Sequence, residues 1–310
     1  MKVLIWHVHG SWTTALVQGP HTYLLPVLAD RGADGRGRAE TWDWPASAIE
    51  LGPEELAAAE PDVVILQRPH EEELLERWTG LRAGRDLPAV YVEHNAPQGR
   101  IAEMRHPAAD REDLVLAHVT HFNDLFWDAG STPTRVVEHG IVDPGYRYSG
   151  ELAEAAVAIN EPRRRWRVTG TDLLPRLNGT VPLRLFGIGA AEMGGIENLP
   201  QDALHTEMAR RRAYLHPIRW TSLGLSLIEA MQLGMPVVAL ATTEVVEAVP
   251  AVAGVVSTRL ETLSRGLQEL IADPDTARER GHMARRAALD RYGLDRFLSD
   301  WNELLEGVAA

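Results

Sequence analysis

Along this chain, short and nearly continuous apolar runs are separated by longer mixed stretches, the pattern of strands buried in a parallel sheet and joined by helices. Val3 to Val8 reads as a first strand running into the loop HGSWTTALVQG, and the apolar face formed by Tyr23, Leu24, Val27 and Leu28 predicts a helix over about 20–31. The runs PDVVILQRP (61–69), LPAVYVEHN (87–95) and Leu114 to Val119 read as further buried strands. The stretch ELAEAAVAIN, bracketed by Gly150 and Pro162, reads as helical and places an interdomain connection at about 146–165. VPLRLFGIGAAE (181–192) is another strand ending in glycines. Leu225 to Leu233 is apolar at almost every position and predicts a helix buried on most faces, capped by Thr221 or Ser222, closed by Gly234 and followed by the strand VVAL at 237–240. The tail from Asp273 is amphipathic helix. Its Asp273-x-Asp275 pair precedes a helix with Pro274 at its start, so a cap is expected there and not a metal site.

Ligands of parallel sheets bind at the carboxyl ends of strands. That rule selects Gln67, Arg68, Glu93, His94 and Asn95, with His121 and Asn123 after the next strand. His7, His9, Gly10, Ser11 and Trp12 stand in or beside the first loop, where a strand, a glycine loop and a helix make a ligand-binding start without the G-x-G-x-x-G of a dinucleotide fold. In the second half, Ser222, Gly224 and Ser226 lie where a helix N-terminus receives an anion. Glu229 is the one carboxylate of its apolar helix; an unpaired buried charge costs several kcal/mol, so it requires a partner or a ligand. The run RRRWR (163–167) is either a solvated edge anchored by Trp166 or a diphosphate or acceptor-phosphate site.

Composition narrows the chemistry. With 310 residues there is room for two domains, each with its own core. Cysteine is absent, which excludes disulfides, thiolate nucleophiles and cysteine metal sites. A net charge of −13 argues against a nucleic-acid partner. Lys2 is the only lysine, so Schiff-base chemistry is excluded in practice and any phosphate clamp rests on arginine or backbone amides. No long apolar segment or leader pattern is apparent, and a cytoplasmic protein is expected.

The stretch from 214 to 248 resembles the signature of the retaining family 4 glycosyltransferases of the GT-B fold, through Pro217, Gly224, Leu225, Glu229, Ala230, Met231, Gly234, Pro236, Val237, Val238 and Ala239. RVVEHGIVDPG (135–145) resembles the family's I-x-N-G-V-D segment, with His139 in place of Asn. The resemblance implies an α/β GT-B protein of two Rossmann-like parallel-sheet domains facing a cleft. It places an acceptor-side domain at 1–145, a connection at 146–165, a nucleotide-sugar domain at 166–292, and a helix at 293–310 that crosses back to the first domain.

The implied activity is transfer of a sugar from a nucleoside-diphosphate sugar to an acceptor, with retention, no metal and no cofactor beyond that co-substrate. By resemblance Glu229 holds the ribose hydroxyls, and His94 contacts the donor sugar as the best catalytic candidate. The family's first glutamate is replaced here by Thr221. Donor binding then involves Thr221, Ser222, Leu223, Gly224, Leu225, Arg219, Arg167, Gly170 and Gly187, and the acceptor side His9, Gly10, Ser11, Trp12, Gly19 and Asn95.

RVTGTDLLP (167–175) stands where the family has a strand followed by an Arg and a Lys for the diphosphate; both are missing, and Thr171 or Arg176 would take up part of their role. A chain this compact implies a small soluble acceptor. Two other readings stay open: another GT-B sugar-nucleotide enzyme, such as an epimerase or an inverting transferase with His9, Glu93 or His121 as base, and a non-catalytic sugar-nucleotide-binding scaffold.

Overall fold

The computed structural model describes residues 1–310 as two compact units, Met1–Val142 with Leu294–Ala310, and Asp143–Gly293. In the first unit the strands are β1 (Lys2–Ile5), β2 (Thr22–Pro26), β3 (Ala48–Leu51), β4 (Val63–Leu66), β5 (Ala89–Glu93), β6 (Val115–His118) and β7 (Thr134–Val136). All are parallel, in the order β3-β2-β1-β4-β5-β6-β7. Around them lie α1 (Gly10–Leu16), α2 (Pro53–Ala57), α3 (Glu71–Thr79) and α4 (His121–Phe126). The runs VVIL and AVYVE are buried at every position because helices and loops cover both sheet faces.

The second unit holds β8 (Leu152–Ala158), β9 (Leu183–Phe186), β10 (Arg211–His216), β11 (Val237–Leu240) and β12 (Gly254–Ser257), parallel and ordered β12-β11-β10-β8-β9. Its helices are α5 (Pro162–Arg165), α6 (Leu174–Asn178), α7 (Gln201–Ala209), α8 (Leu225–Leu233), α9 (Val245–Ala248), α10 (Leu260–Ala272) and α11 (Pro274–Tyr292). The last helix, α12 (Leu294–Ala309), belongs to the first unit. There Phe297, Trp301 and Leu305 are buried, and Trp12 meets the rings of Phe297 and Trp301 edge-on at 6.2 and 5.4 Å. Phe297→Ala should therefore destabilise this unit by about 3–5 kcal/mol, read as a lower urea midpoint.

Several expectations are corrected. The stretch 20–31 is not a helix: Thr22–Pro26 pairs in parallel with β1, and Pro26 could not sit in a helix interior without losing a backbone bond. The helix comes earlier, at Gly10–Leu16, where a loop was expected. ELAEAAVAIN is not a helical connection either. Its residues 152–158 form the interior strand β8, hydrogen-bonded on both sides to β9 and β10, and the small Ala155 and Ala156 let the covering helices pack closely; tertiary pairing overrides the helix propensity of alanine. Consequently 167–175 is not a strand but turns, a 3-10 segment and the start of α6.

The α8 helix ends as expected, on Gly234 in the left-handed region (φ 91°). Its N-cap is Gly224 and not Thr221 or Ser222. Asp273 does cap α11, its Oδ1 accepting from the amides of Asp275 and Thr276.

Candidate functional site

In the second unit the chain leaves β9 at one edge and returns as β10 on the other side of β8, so the strand order reverses between β8 and β10. Loops at the carboxyl ends of two such strands part and leave room for a ligand. Residues 159–173 follow β8 and residues 217–224 follow β10, and the two loops are tied together. The amides of Arg219 and Trp220 donate to the carbonyl of Val168 at 2.9 and 3.2 Å, and Thr242 Oγ1 supports the Ile218 carbonyl at 2.8 Å. Gly170 makes this closeness feasible: at φ +71°, a Cβ there would stand 1.9 Å from the Pro217 carbonyl oxygen.

Two of the expected donor arginines meet at this junction. Arg219 grips Asp172 with both terminal nitrogens, at 2.5 and 2.9 Å, and also donates to the carbonyl of Arg167 at 2.8 Å. Arg167 reaches the same carboxylate at 3.2 Å. Arg219, beside Asp172, holds that carboxyl below its usual range. The cluster carries two cations on one anion, and the exposed Arg167 leaves its positive face to solvent.

The other expected partners do not join. Arg176 pairs with Glu261 at 2.7 Å, and Thr171 is buried with its hydroxyl against Thr169. Arg163 and Arg164 pair with Glu192 and Glu161, while Trp166 is 44% exposed and so anchors nothing as a buried side chain would. Gly187 directly follows β9, where a Cβ would meet the Ile159 carbonyl.

The loop then enters α8. Ser222 and Leu223 are buried, while Thr221, Gly224 and Leu225 are partly exposed at the helix entrance. Gly224 rests over the ring of His216, where a Cβ would lie 2.8 Å from Cε1. Ser226, in the first turn, accepts from the Tyr214 phenol at 3.0 Å. Glu229, one turn further, is 6% exposed and faces His205 of α7, whose Nε2 lies 3.5 Å from Glu229 Oε2. The partner that a buried carboxylate requires is therefore supplied from another helix.

In the first unit the strand order reverses between β1 and β4. At their carboxyl ends Gln67 forms a bridge: its Nε2 donates to the Trp6 carbonyl at 2.7 Å and its Oε1 accepts from His94 Nε2 at 3.0 Å, which fixes the ring's tautomer. His94 is buried, which pushes its pKa well below the ordinary imidazole value, so it is neutral at pH 7. Its ring contacts His9 at 4.1 Å and the edge of Trp12 at 4.8 Å. Burial likewise pushes His9 to about 4. Gly10 and Ser11 open α1 beside this cluster. His139, buried and with neither ring nitrogen hydrogen-bonded, is pushed by burial to about 3.

Trp12 is wholly buried, a core residue beneath the histidines and not a surface for an acceptor. Gly19 lies between α1 and β2, at the amino ends of the strands, on the opposite edge of the sheet from the histidines. Asn95 is exposed; its amide donates to Glu93 Oε1 at 2.6 Å and its carbonyl accepts from the Trp127 indole at 2.8 Å. Glu93 Oε2 is 3.0 Å from His106, so both of its oxygens are engaged. His121 is exposed at the start of α4. Asp172 and His205 escaped sequence reasoning, because no motif marks residues that matter through a partner 47 and 24 positions away, and Gln201 escaped with His205, which it bonds.

Two parallel-sheet α/β units, each with polar residues gathered at its strand-order reversal, define a GT-B architecture. Residues 193–287 match the family model described as glycosyl transferases group 1, so the second unit carries a glycosyltransferase domain of that group. Among solved structures, the chain is similar to sucrose-phosphate synthase from Thermosynechococcus elongatus (12% identity, 99% of each chain covered, TM-score 0.71). It is also similar to Anabaena HepE in complex with UDP (13% identity, 99% of this chain and 100% of that one, TM-score 0.73). A third is AviGT4, a glycosyltransferase involved in avilamycin A biosynthesis (15% identity, 100% and 98% covered, TM-score 0.62). No curated protein sequence matches the chain. No helix is long and apolar enough to cross a membrane.

Proposed function

We propose that this protein transfers a sugar from a nucleoside-diphosphate sugar to a small soluble acceptor, with retention of anomeric configuration and without a metal. The observation that carries this is the meeting of Arg167, from the loop after β8, with Arg219, from the loop that enters α8, with Glu229 one turn into that helix and all but Arg167 inside the stretch matched as glycosyl transferases group 1. Breaking the anomeric bond puts negative charge on the departing diphosphate. Fixed amides at the α8 entrance and the two guanidiniums would stabilise that charge, and Glu229 would accept from the ribose hydroxyls. In the retaining chemistry we assign, the leaving phosphate oxygen takes the acceptor's proton. His94, neutral and oriented by Gln67, would then bind a sugar hydroxyl and not act as a cationic acid.

UDP is the first nucleotide to test, since HepE was solved in complex with UDP and with UDP-glucose. Thermal stabilisation by UDP, GDP, ADP, dTDP and CDP should single out one of them, and at about 100 times its dissociation constant it should add about 2.7 kcal/mol of stability. Glu229→Ala should abolish that shift. If no nucleotide stabilises the wild type, the transferase reading falls and a scaffold without donor takes its place.

A further inference from the structure

Glu229 has a neighbour that the ribose assignment does not account for. His205 lies on α7, is 5% exposed, and directs Nε2 toward Glu229 Oε2 at 3.5 Å. The same nitrogen lies 2.7 Å from Nε2 of the Gln201 amide, one helical turn earlier. A ring nitrogen facing a carboxylate must be the protonated one, because two acceptors face to face repel. The Gln201 amide, whose ends are distinguished only by their hydrogen bonds, then turns its oxygen to that hydrogen. With the amide so turned, the buried N–H bonds Gln201, which fixes the ring, and stands within ion-pair reach of Glu229. The Tyr214 phenol of β10 donates to Ser226.

We propose that His205 is a positioning residue for donor recognition: held by Gln201, it locks the Glu229 carboxylate in the orientation that accepts from the ribose hydroxyls. The inference rests on the donor reading above. A glutamate has three side-chain torsions to freeze on binding, and a partner that freezes them beforehand converts lost entropy into affinity for that one group of the ligand. The effect is therefore specific to the ribose, whereas a merely structural role would act on every part of the nucleotide alike.

The test compares equilibrium binding of UDP and 2′-deoxy-UDP. Wild type should prefer UDP by about tenfold or more, the worth of one good hydrogen bond to a charged acceptor, and Glu229→Gln should reduce that preference. His205→Phe, which keeps a ring but no N–H, should bring the ratio toward one while leaving 2′-deoxy-UDP affinity nearly unchanged. His205→Gln, which restores an N–H at the same reach, should recover it. Gln201→Leu, at the partly exposed end of the relay, should lower the ratio to a smaller extent and serves if the Phe variant fails to fold. If the His205 or Gln201 variants weaken both nucleotides equally or leave the ratio at the wild-type value, the positioning role is overturned while the donor reading stands. A wild type that does not distinguish the two nucleotides, or a ratio unaffected by Glu229→Gln, overturns the ribose assignment itself and this inference with it.

Discussion

Lowering the pH from 7 to 5 is expected to remove several kcal/mol of stability, through imidazoles and not carboxylates. His118, His139 and His216 are 0, 3 and 0% exposed, and no ring nitrogen of the first two, nor Nε2 of the third, is hydrogen-bonded. Burial pushes them to about 4, about 3 and about 4. In the unfolded chain each titrates near 6.5. At pH 5 the unfolded chain therefore binds protons that the native protein refuses, and stability falls as protons are added. The contribution is intact above about pH 6.5, and its loss levels off only below the folded values. Each ring costs about 2 kcal/mol at pH 5, so His118 and His139 cost the first unit about 4 kcal/mol and His216 costs the second about 2 kcal/mol, against the 5–15 kcal/mol that holds a typical domain together. Paired carboxylates such as Asp143, held low by Arg285, titrate in more acidic solution and do not obscure the effect. The measurement is the urea midpoint at pH 7, 6 and 5. A level midpoint over that range would show that the rings are solvated.

The second large effect concerns the arginine pair. Arg219→Ala removes a cation and releases Asp172, which keeps only the exposed Arg167 as a counter-charge. A diphosphate would then lose charge-assisted bonds worth about 1.5–3 kcal/mol and meet a carboxylate only partly neutralised by Arg167. Nucleotide affinity should fall by about 100-fold, or about 2.7 kcal/mol. Asp172→Asn should act in the opposite direction, since it leaves both guanidiniums and removes their internal anion. In the double variant, Asp172→Asn should recover part of the loss caused by Arg219→Ala, because the two sites share one network. Isothermal titration of the four proteins with UDP decides this; equal affinities for wild type and Arg219→Ala would remove Arg219 from the donor site.

The sequence by itself determined the parts governed by local pattern. Continuous apolar runs marked β4, β5 and β11 because a strand covered on both faces has no polar side to show. The glycine and proline after Leu233 marked the end of α8, and Asp273-Pro274 marked a cap, because those residues act within one turn of the backbone. Glu229 was legible as a charge that could not stand alone in an apolar helix.

Only the tertiary structure decided what depends on distant partners. Leu152–Ala158 is a strand because β9 and β10 flank it, not because alanine prefers that state, and Thr22–Pro26 is a strand because β1 lies beside it. Trp12 is core because α12, at the far end of the chain, brings Phe297 and Trp301 against it. Arg219 meets Asp172, and Glu229 meets His205, across separations that carry no periodicity. Charge pairing and desolvation act through space, and a linear pattern records which residues are charged or apolar but not which of them the fold will bring together.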